Sequence, residues 1–241
     1  LEYELTLRVL DQYLPKSESI LEIGAATGRY TQVLGQKGYQ VTAVDLSTEL
    51  LKKCQKNISN AGFGKQVHYF IADVRDLRNI AGKDYDAILL MGPLYHLVEE
   101  DDRKLALRQV YEHLRPGGIL ISAFISRHGI LGNLMKNIPE WIEDKAEVRS
   151  VMEHGKDPND YPLGGFRGYF VGVPEIAPLH EEIGFETLAL VGVEPAISAD
   201  DESYNRPQGK QRQLWLDLLY EVSTEKSTVG ASQHLLYVGR K

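Results

Sequence analysis

The stretch 19–31, reading Ser-Ile-Leu-Glu-Ile-Gly-Ala-Ala-Thr-Gly-Arg-Tyr-Thr, constrains the fold of this chain most tightly. Ile20, Leu21 and Ile23 make a short apolar run with one acidic interruption, Glu22, which predicts a buried strand. The chain then turns through Gly24, Ala25, Ala26, Thr27 and Gly28 and continues as a helix over 29–36. Glycine in such a turn lets backbone approach a ligand closely, and a helix start offers N–H groups without intrahelical partners. Strand, small-residue turn and helix make the nucleotide-binding corner of a doubly wound sheet. An ordinary tight strand-to-helix turn would read the same way over these residues alone. The next strand, over 40–45, separates the two readings. It ends on Asp45, about twenty positions further on, where a carboxylate can hold a ribose diol.

Dinucleotide sites want G-x-G-x-x-G, whose middle glycine admits a pyrophosphate. Here Ala26 takes the middle place and Arg29 the third. The pattern instead resembles the class I S-adenosylmethionine-dependent methyltransferases, whose first motif is an acidic residue, a spacer and G-x-G-x-G. Glu22, Gly24 and Gly28 match it, and Ala26 replaces the central glycine. Two later motifs carry the same resemblance: Gly-Pro-Leu-Tyr-His-Leu at 92–97 and Leu-Arg-Pro-Gly-Gly at 114–118, which recur in a bacterial small-molecule group of these enzymes. The resemblance runs in order over 1–127 and is diffuse afterwards.

The remaining pattern fills out an α/β chain. Leu5, Val9, Leu10, Tyr13 and Leu14 make a helical stripe over 2–14, stopped by Pro15 and placing Tyr3 or Glu4 within reach of the cleft. Ser47 caps a helix to about residue 60, with Leu50, Leu51 and Cys54 inward. A third strand covers 67–71 and closes on Asp73, and a fourth, over 85–91, is almost continuously apolar and so central. The acidic start at 99–102 suits a helix N-terminus, and that helix runs to Leu114, where Pro-Gly-Gly ends it and feeds a fifth strand over 119–125. Residues 126–173 then scatter His128, Trp141, His154, Tyr161, Phe166, Tyr169 and Phe170 among glycines, prolines and charges, which predicts a cap or lid. A helix over 174–184, a strand over 185–193, a polar loop over 194–207, a helix over 208–224 with Leu214, Trp215, Leu218 and Leu219, and a last strand over 233–238 complete the chain.

A length of 241 residues with 43% hydrophobic and 25% charged residues suits a single globular domain over 1–241. A net charge of −7 argues against nucleic-acid or anionic-membrane partners, and no apolar run reaches the ~20 residues of a membrane span. The single cysteine, Cys54, excludes an internal disulfide and a cysteine-rich metal site, and no metal is expected. No signal peptide is visible, although the chain starts at Leu1, and cytoplasmic residence is the expectation.

The resemblance implies a doubly wound, mostly parallel seven-stranded sheet of order 3-2-1-4-5-7-6, with the last strand antiparallel. It implies S-adenosylmethionine as cofactor, held by Glu22, Gly24, Ala25, Ala26, Gly28, Asp45, Leu46, Asp73, Val74 and Met91, with Asp73 accepting from the adenine amino group. Methyl transfer is an in-line displacement that rests on bringing the acceptor close and aligned. Tyr95 is placed to face the transferred methyl, and His96 is the base candidate should the acceptor carry a proton. The expected partner is a small-molecule acceptor, bound by a monomer or homodimer. An NAD(P)-dependent oxidoreductase and a non-catalytic cofactor-binding protein stay open as alternatives.

Overall fold

The computed structural model describes residues 1–16, 19–80, 82–157, 168–194 and 200–241, the side chain of Asp201 excepted. Helix α1 (Glu2–Tyr13) stops at Leu14, which is extended because the following proline disfavours helix before it. The nucleotide-binding corner follows as β1 (Ser19–Ile23), α2 (Arg29–Gln36) and β2 (Gln40–Asp45). Then come α3 (Thr48–Asn60), β3 (Val67–Ile71), β4 (Tyr85–Leu90), the single turn α4 (Pro93–His96), α5 (Glu100–His113) and β5 (Leu114–Ile125).

The segment after β5 holds α6 (Leu131–Asn137), α7 (Lys145–His154) and an antiparallel pair of two-residue strands, β6 (Lys156–Asp157) and β7 (Gly168–Tyr169). Tyr161 and Phe166 lie outside the described residues. The chain closes with α8 (Val173–Glu181), β8 (Glu186–Gly192), α9 (Asp201–Asn205), α10 (Gly209–Glu221), α11 (Lys226–Ala231) and β9 (His234–Arg240).

Seven strands form one sheet in the order β3-β2-β1-β4-β5-β9-β8. The first five are parallel, and β9 is antiparallel to both β5 and β8. Numbered within that sheet, the order is the expected 3-2-1-4-5-7-6. Alternate residues of each strand serve opposite faces, so β1 sends Ile20 into one core and Leu21 and Ile23 into the other. The first core takes α1, α2, α3 and α10 through Leu5, Leu34, Ile58 and Leu216. The second takes α5, α8 and α11 through Val110, Ile176 and Val229. A third, small cluster of Ile125, Ile130, Val151 and Phe170 seats the segment after β5 on the end of that strand.

Four local expectations need correction. Pro116, Gly117 and Gly118 do not precede the fifth strand but lie inside it, at a register break between Tyr85 and Ala87 of β4. Gly117 stays in the sheet because its N–H donates to Lys241 O at 2.8 Å, and Lys241 N–H returns to Gly118 O at 3.0 Å. The stretch with Tyr95 and His96 is a helical turn, initiated by Pro93 at its first position. The expected loop after β8 contains α9, with 195–199 outside the described residues. Beyond α10 the unforeseen α11 buries Val229, while Leu214, Trp215 and Leu218 of α10 are exposed.

Candidate functional site

Between β1 and β4 the strand order reverses, and the chain leaves their C-terminal ends towards opposite sides, opening a crevice. The cleft there measures about 690 Å³. The glycine turn forms one wall. Gly24 has φ +84°, and a Cβ on it would lie 2.7 Å from Met91 O and 2.9 Å from Pro93 Cδ. Only a residue without a side chain lets the turns after β1 and β4 touch there.

Ala26, which stands where the methyltransferase motif has its central glycine, also adopts the left-handed region, at φ +48°. Its N–H donates to Asp45 Oδ2 at 2.8 Å. A left-handed alanine costs roughly 1–2 kcal/mol, and a hydrogen bond to a charged acceptor contributes about as much. Asp45 Oδ1 accepts from Ser47 N–H at 2.8 Å, and Ser47 Oγ accepts from Leu50 N–H at 3.3 Å, capping α3. The Asp45 carboxylate is thus fixed by two backbone donors on the cleft wall, with lone pairs left for an outside donor.

Of the residues singled out in the sequence, Gly24, Ala26, Asp45, Leu46, Asp73, Val74, Met91, Tyr95 and His96 all line the cleft. Glu22, Ala25 and Gly28 do not. Glu22 points behind the turn, 1% exposed, and accepts from Thr31 Oγ1 at 2.6 Å. Burial pushes its carboxyl up to about 7, the Thr31 bond opposes, and the Asp45 charge adds to the rise. Gly28, at φ +89°, leaves room for Cys54, whose Sγ would meet a Cβ at 2.7 Å. These residues support the turn from beneath. Leu50 and Pro93 line the cleft unforeseen, and Leu50 is only half-buried for that reason.

Asp73 is engaged by a cation two residues on. Arg75 Nε donates to Oδ1 at 3.0 Å, Nη2 to Oδ2 at 2.6 Å and the Arg75 N–H to Oδ1 at 2.9 Å. The Arg75 bonds hold the carboxyl below its usual range. Arg75 Nη1 also reaches Asp102 Oδ2 at 3.0 Å, tying the ends of β3 and the start of α5 across the cleft mouth. The aspartate–x–arginine spacing at 73–75 was the available signal for this clamp.

On the far side of the cleft Tyr95 is half-buried and packs on the lid cluster. Burial, with the Glu2 charge behind it, raises its phenol. His96 is exposed at the rim, its ring 4.9 Å from that of Tyr95. Tyr3 stacks near Tyr30 at 5.6 Å, and Tyr30 Oη donates to Glu2 Oε1 at 3.2 Å. Glu4 is turned away: Tyr204 Oη and Arg212 Nη2 both donate to its Oε2. His128 and His154 are exposed and line no part of this cleft.

A second cavity, about 860 Å³, lies between α5, α8 and the end of α7. Two of its cations are paired, Arg127 with Glu175 at 2.9 Å and Lys156 with Glu99 at 2.7 Å. Arg103 is buried there, stacked 3.5 Å over the Tyr169 ring, with Nη1 donating to Leu97 O at 2.6 Å and Val98 O at 2.9 Å. The arrangement fastens β7 to the segment that follows Tyr95 and His96. Among the described residues no group of three or more His, Cys, Asp or Glu could hold a metal, and no helix is long and apolar enough to cross a membrane.

Residues 20–118 match the family model described as "Methyltransferase domain". The carboxy-S-adenosyl-L-methionine synthase of Aliivibrio salmonicida is 31% identical over 131 residues, 52% of each chain. The tRNA 5-carboxymethoxyuridine methyltransferase of Escherichia coli K12 is 26% identical over 126 residues, 52% of this chain and 46% of that protein. The chain thus spans about half the length of the curated relatives it matches. The crystal structure of a SAM-dependent methyltransferase from Methanosarcina mazei superimposes with a TM-score of 0.67 at 16% identity, over 97% of this chain and 96% of that one.

Proposed function

We propose that this chain is an S-adenosylmethionine-dependent methyltransferase acting on a small-molecule acceptor. The observation that carries the reading is the cleft at the ends of β1, β2 and β4, where Gly24 lets the turn after β1 touch Met91 and the same turn is tied to Asp45, whose carboxylate lines the wall. A nucleoside-bearing sulfonium fits that donor set. Asp45 takes the ribose diol, and Leu46 and Val74 flank the adenine. Asp73 keeps, after its three bonds from Arg75, about one of four lone-pair directions for the adenine amino group. Bound there, the cofactor supplies an electrophilic methyl group. Tyr95 offers an aromatic face and a phenol beside that methyl, and His96 flanks the entrance. The described part of 126–173 acts as a lid that covers the acceptor and excludes water.

A small acceptor is favoured over a polynucleotide by charge. The chain carries a net −7, and Asp45, Asp73, Glu99 and Asp102 all lie on the cleft walls, facing any phosphate backbone with like charge. The matched relative that modifies tRNA makes the contrast worth measuring. Calorimetry should find one S-adenosylhomocysteine site and no fluorescence enhancement of NADH. The reverse result would replace methyl transfer with the oxidoreductase reading. Transfer of labelled methyl to unfractionated tRNA would overturn the small-molecule part.

A further inference from the structure

The last strand brings a histidine–carboxylate pair to the end of the sheet at which the cleft opens, beside the residues that line it and not among them. Because β9 runs against β5, its first residue, His234, pairs with Ile125, the last of β5. Directly paired residues of antiparallel strands point to one face with Cβ atoms about 4.5–5.5 Å apart. Ile125 belongs to the small cluster on which Tyr95 packs. Tyr95 and His234 also lie in the field of the same carboxylate, Glu2 of α1, to which Tyr30 donates. Tyr95 and His234 therefore sit at the same end of the sheet, one packed on the Ile125 cluster and the other opposite Ile125 itself.

The pair is held rigidly. His234 Nδ1 lies 2.6 Å from Glu194 Oε2, and the His234 backbone N–H donates to the same oxygen at 3.2 Å. Ser232 Oγ accepts from Glu194 N–H and donates to His234 O, both at 2.9 Å. A carboxylate accepting at Nδ1 fixes the tautomer that carries its proton there, leaving Nε2 as the basic atom. Among the described residues Nε2 has no hydrogen-bond partner. The imidazole side chain is 33% exposed while Glu194 is 16% exposed, so the ring is pinned at its covered nitrogen and open at the other.

We propose that His234 is the general base of the reaction, its Nε2 taking the proton of a hydroxyl acceptor, with Glu194 as its positioning residue. The proposal rests on the methyl-transfer reading and deepens it by naming the acceptor class. As the acceptor oxygen bonds to the methyl carbon, the carbon–sulfur bond breaks with its electron pair passing to sulfur. The hydroxyl proton passes to Nε2, and the imidazolium so formed is balanced by Glu194. The positive charge thus moves from sulfonium to imidazolium, and no further reactant is needed. His96, exposed at the rim, is left as a contact at the entrance. The charged groups facing His234 are Glu194 at the end of β8 and Glu2 on α1. Burial opposes the imidazolium, but the Glu194 bond and the two negative charges hold it above the ordinary histidine range.

The test uses the full chain with 15N-labelled histidine, saturated with S-adenosylhomocysteine, and 4-nitrophenol as the probe. His234 signals, identified by their loss in His234→Gln, should titrate above the usual histidine midpoint of ~6.5. In Glu194→Gln that midpoint should fall by about one unit or more. Addition of 4-nitrophenol should move the His234 signals and raise the visible absorbance of nitrophenolate. His234→Gln should bind S-adenosylhomocysteine as the wild type does, yet bind the probe about tenfold more weakly. Failure of S-adenosylhomocysteine to bind removes the methyl-transfer reading itself. If it binds while the His234 signals ignore 4-nitrophenol, or while His234→Gln keeps the response, the base assignment alone is overturned.

Discussion

The backbone N–H of Ala26 and the carboxylate of Asp45 form a 2.8 Å hydrogen bond that ties the turn after β1 to the end of β2. One aspartate therefore does two things: it holds a left-handed alanine in place and presents its remaining lone pairs to the cleft. Asp45→Ala should weaken S-adenosylhomocysteine binding by about 1.5–3 kcal/mol, the usual loss for a charged acceptor. Calorimetry on the variant checks this, and unchanged affinity would reject Asp45 as the ribose ligand.

Gly24→Ala should disturb the cleft more than it disturbs the sheet. The new Cβ would press on Met91 O, a backbone atom that cannot swing away, at a φ of +84°. The left-handed penalty alone is roughly 1–2 kcal/mol, and 1 kcal/mol lowers the melting temperature of a domain this size by about 2–4 °C. Thermal melts with and without S-adenosylhomocysteine should show a lower melting temperature and loss of most of the ligand-induced rise. A full ligand-induced rise would mean that the two turns can separate freely.

Glu22 should leave a signature in stability against pH. Its carboxyl titrates at about 7 in the folded chain and at 4.5 ordinarily, chiefly because it is buried. Between these values the folded state holds a proton that the unfolded state has lost. The stabilisation is complete below pH 4.5 and fades as pH rises towards 7, by about 3 kcal/mol in all. Glu22→Gln, which can still accept from Thr31, should flatten that slope in denaturant titrations. A slope of the same size in the variant would place its origin elsewhere.

Arg103 should set how firmly the lid is closed. Its guanidinium lies between the Leu97 and Val98 carbonyls and the Tyr169 ring. A desolvated cation–π contact is worth about 2 kcal/mol, so Arg103→Met should speed amide exchange in β7 by roughly tenfold or more while β1 and β4 stay protected. In the wild type, S-adenosylhomocysteine together with an acceptor should raise protection across the described part of 126–173. Equal protection with and without ligands would reject a closing lid.

The corner from β1 to β2 was legible because strand, turn and helix there are fixed by local chemistry: alternate apolar residues, glycine at positive φ and a carboxylate ending a strand. The same locality explains the misplacements. Pro116–Gly118 reads as a break, yet it remains in β5 because Lys241, more than a hundred positions away, supplies the pairing. Glu22 was placed in the cleft only by the motif it resembles, but strand alternation turns it to the α2–α3 side. His234 was passed over as one residue of an ordinary final strand. The available signal was the expected antiparallel direction of that strand, which puts its first residue, not its last, at the open edge.

The reversed direction of β9 separates two kinds of change. A parallel strand offers the open edge only its final residues and the turn that follows, so the glycine corner, Asp45 and Met91 are all written in the first half of the chain. The antiparallel strand adds material from the other end of the sequence, through its entry turn and the end of β8. If the proposed assignments hold, substitutions around Glu194 and His234 alter the acceptor side without touching the residues assigned to the cofactor, because the two sets share an end of the sheet but no strand. The match to the family model, 20–118, stops just inside β5, short of that second set.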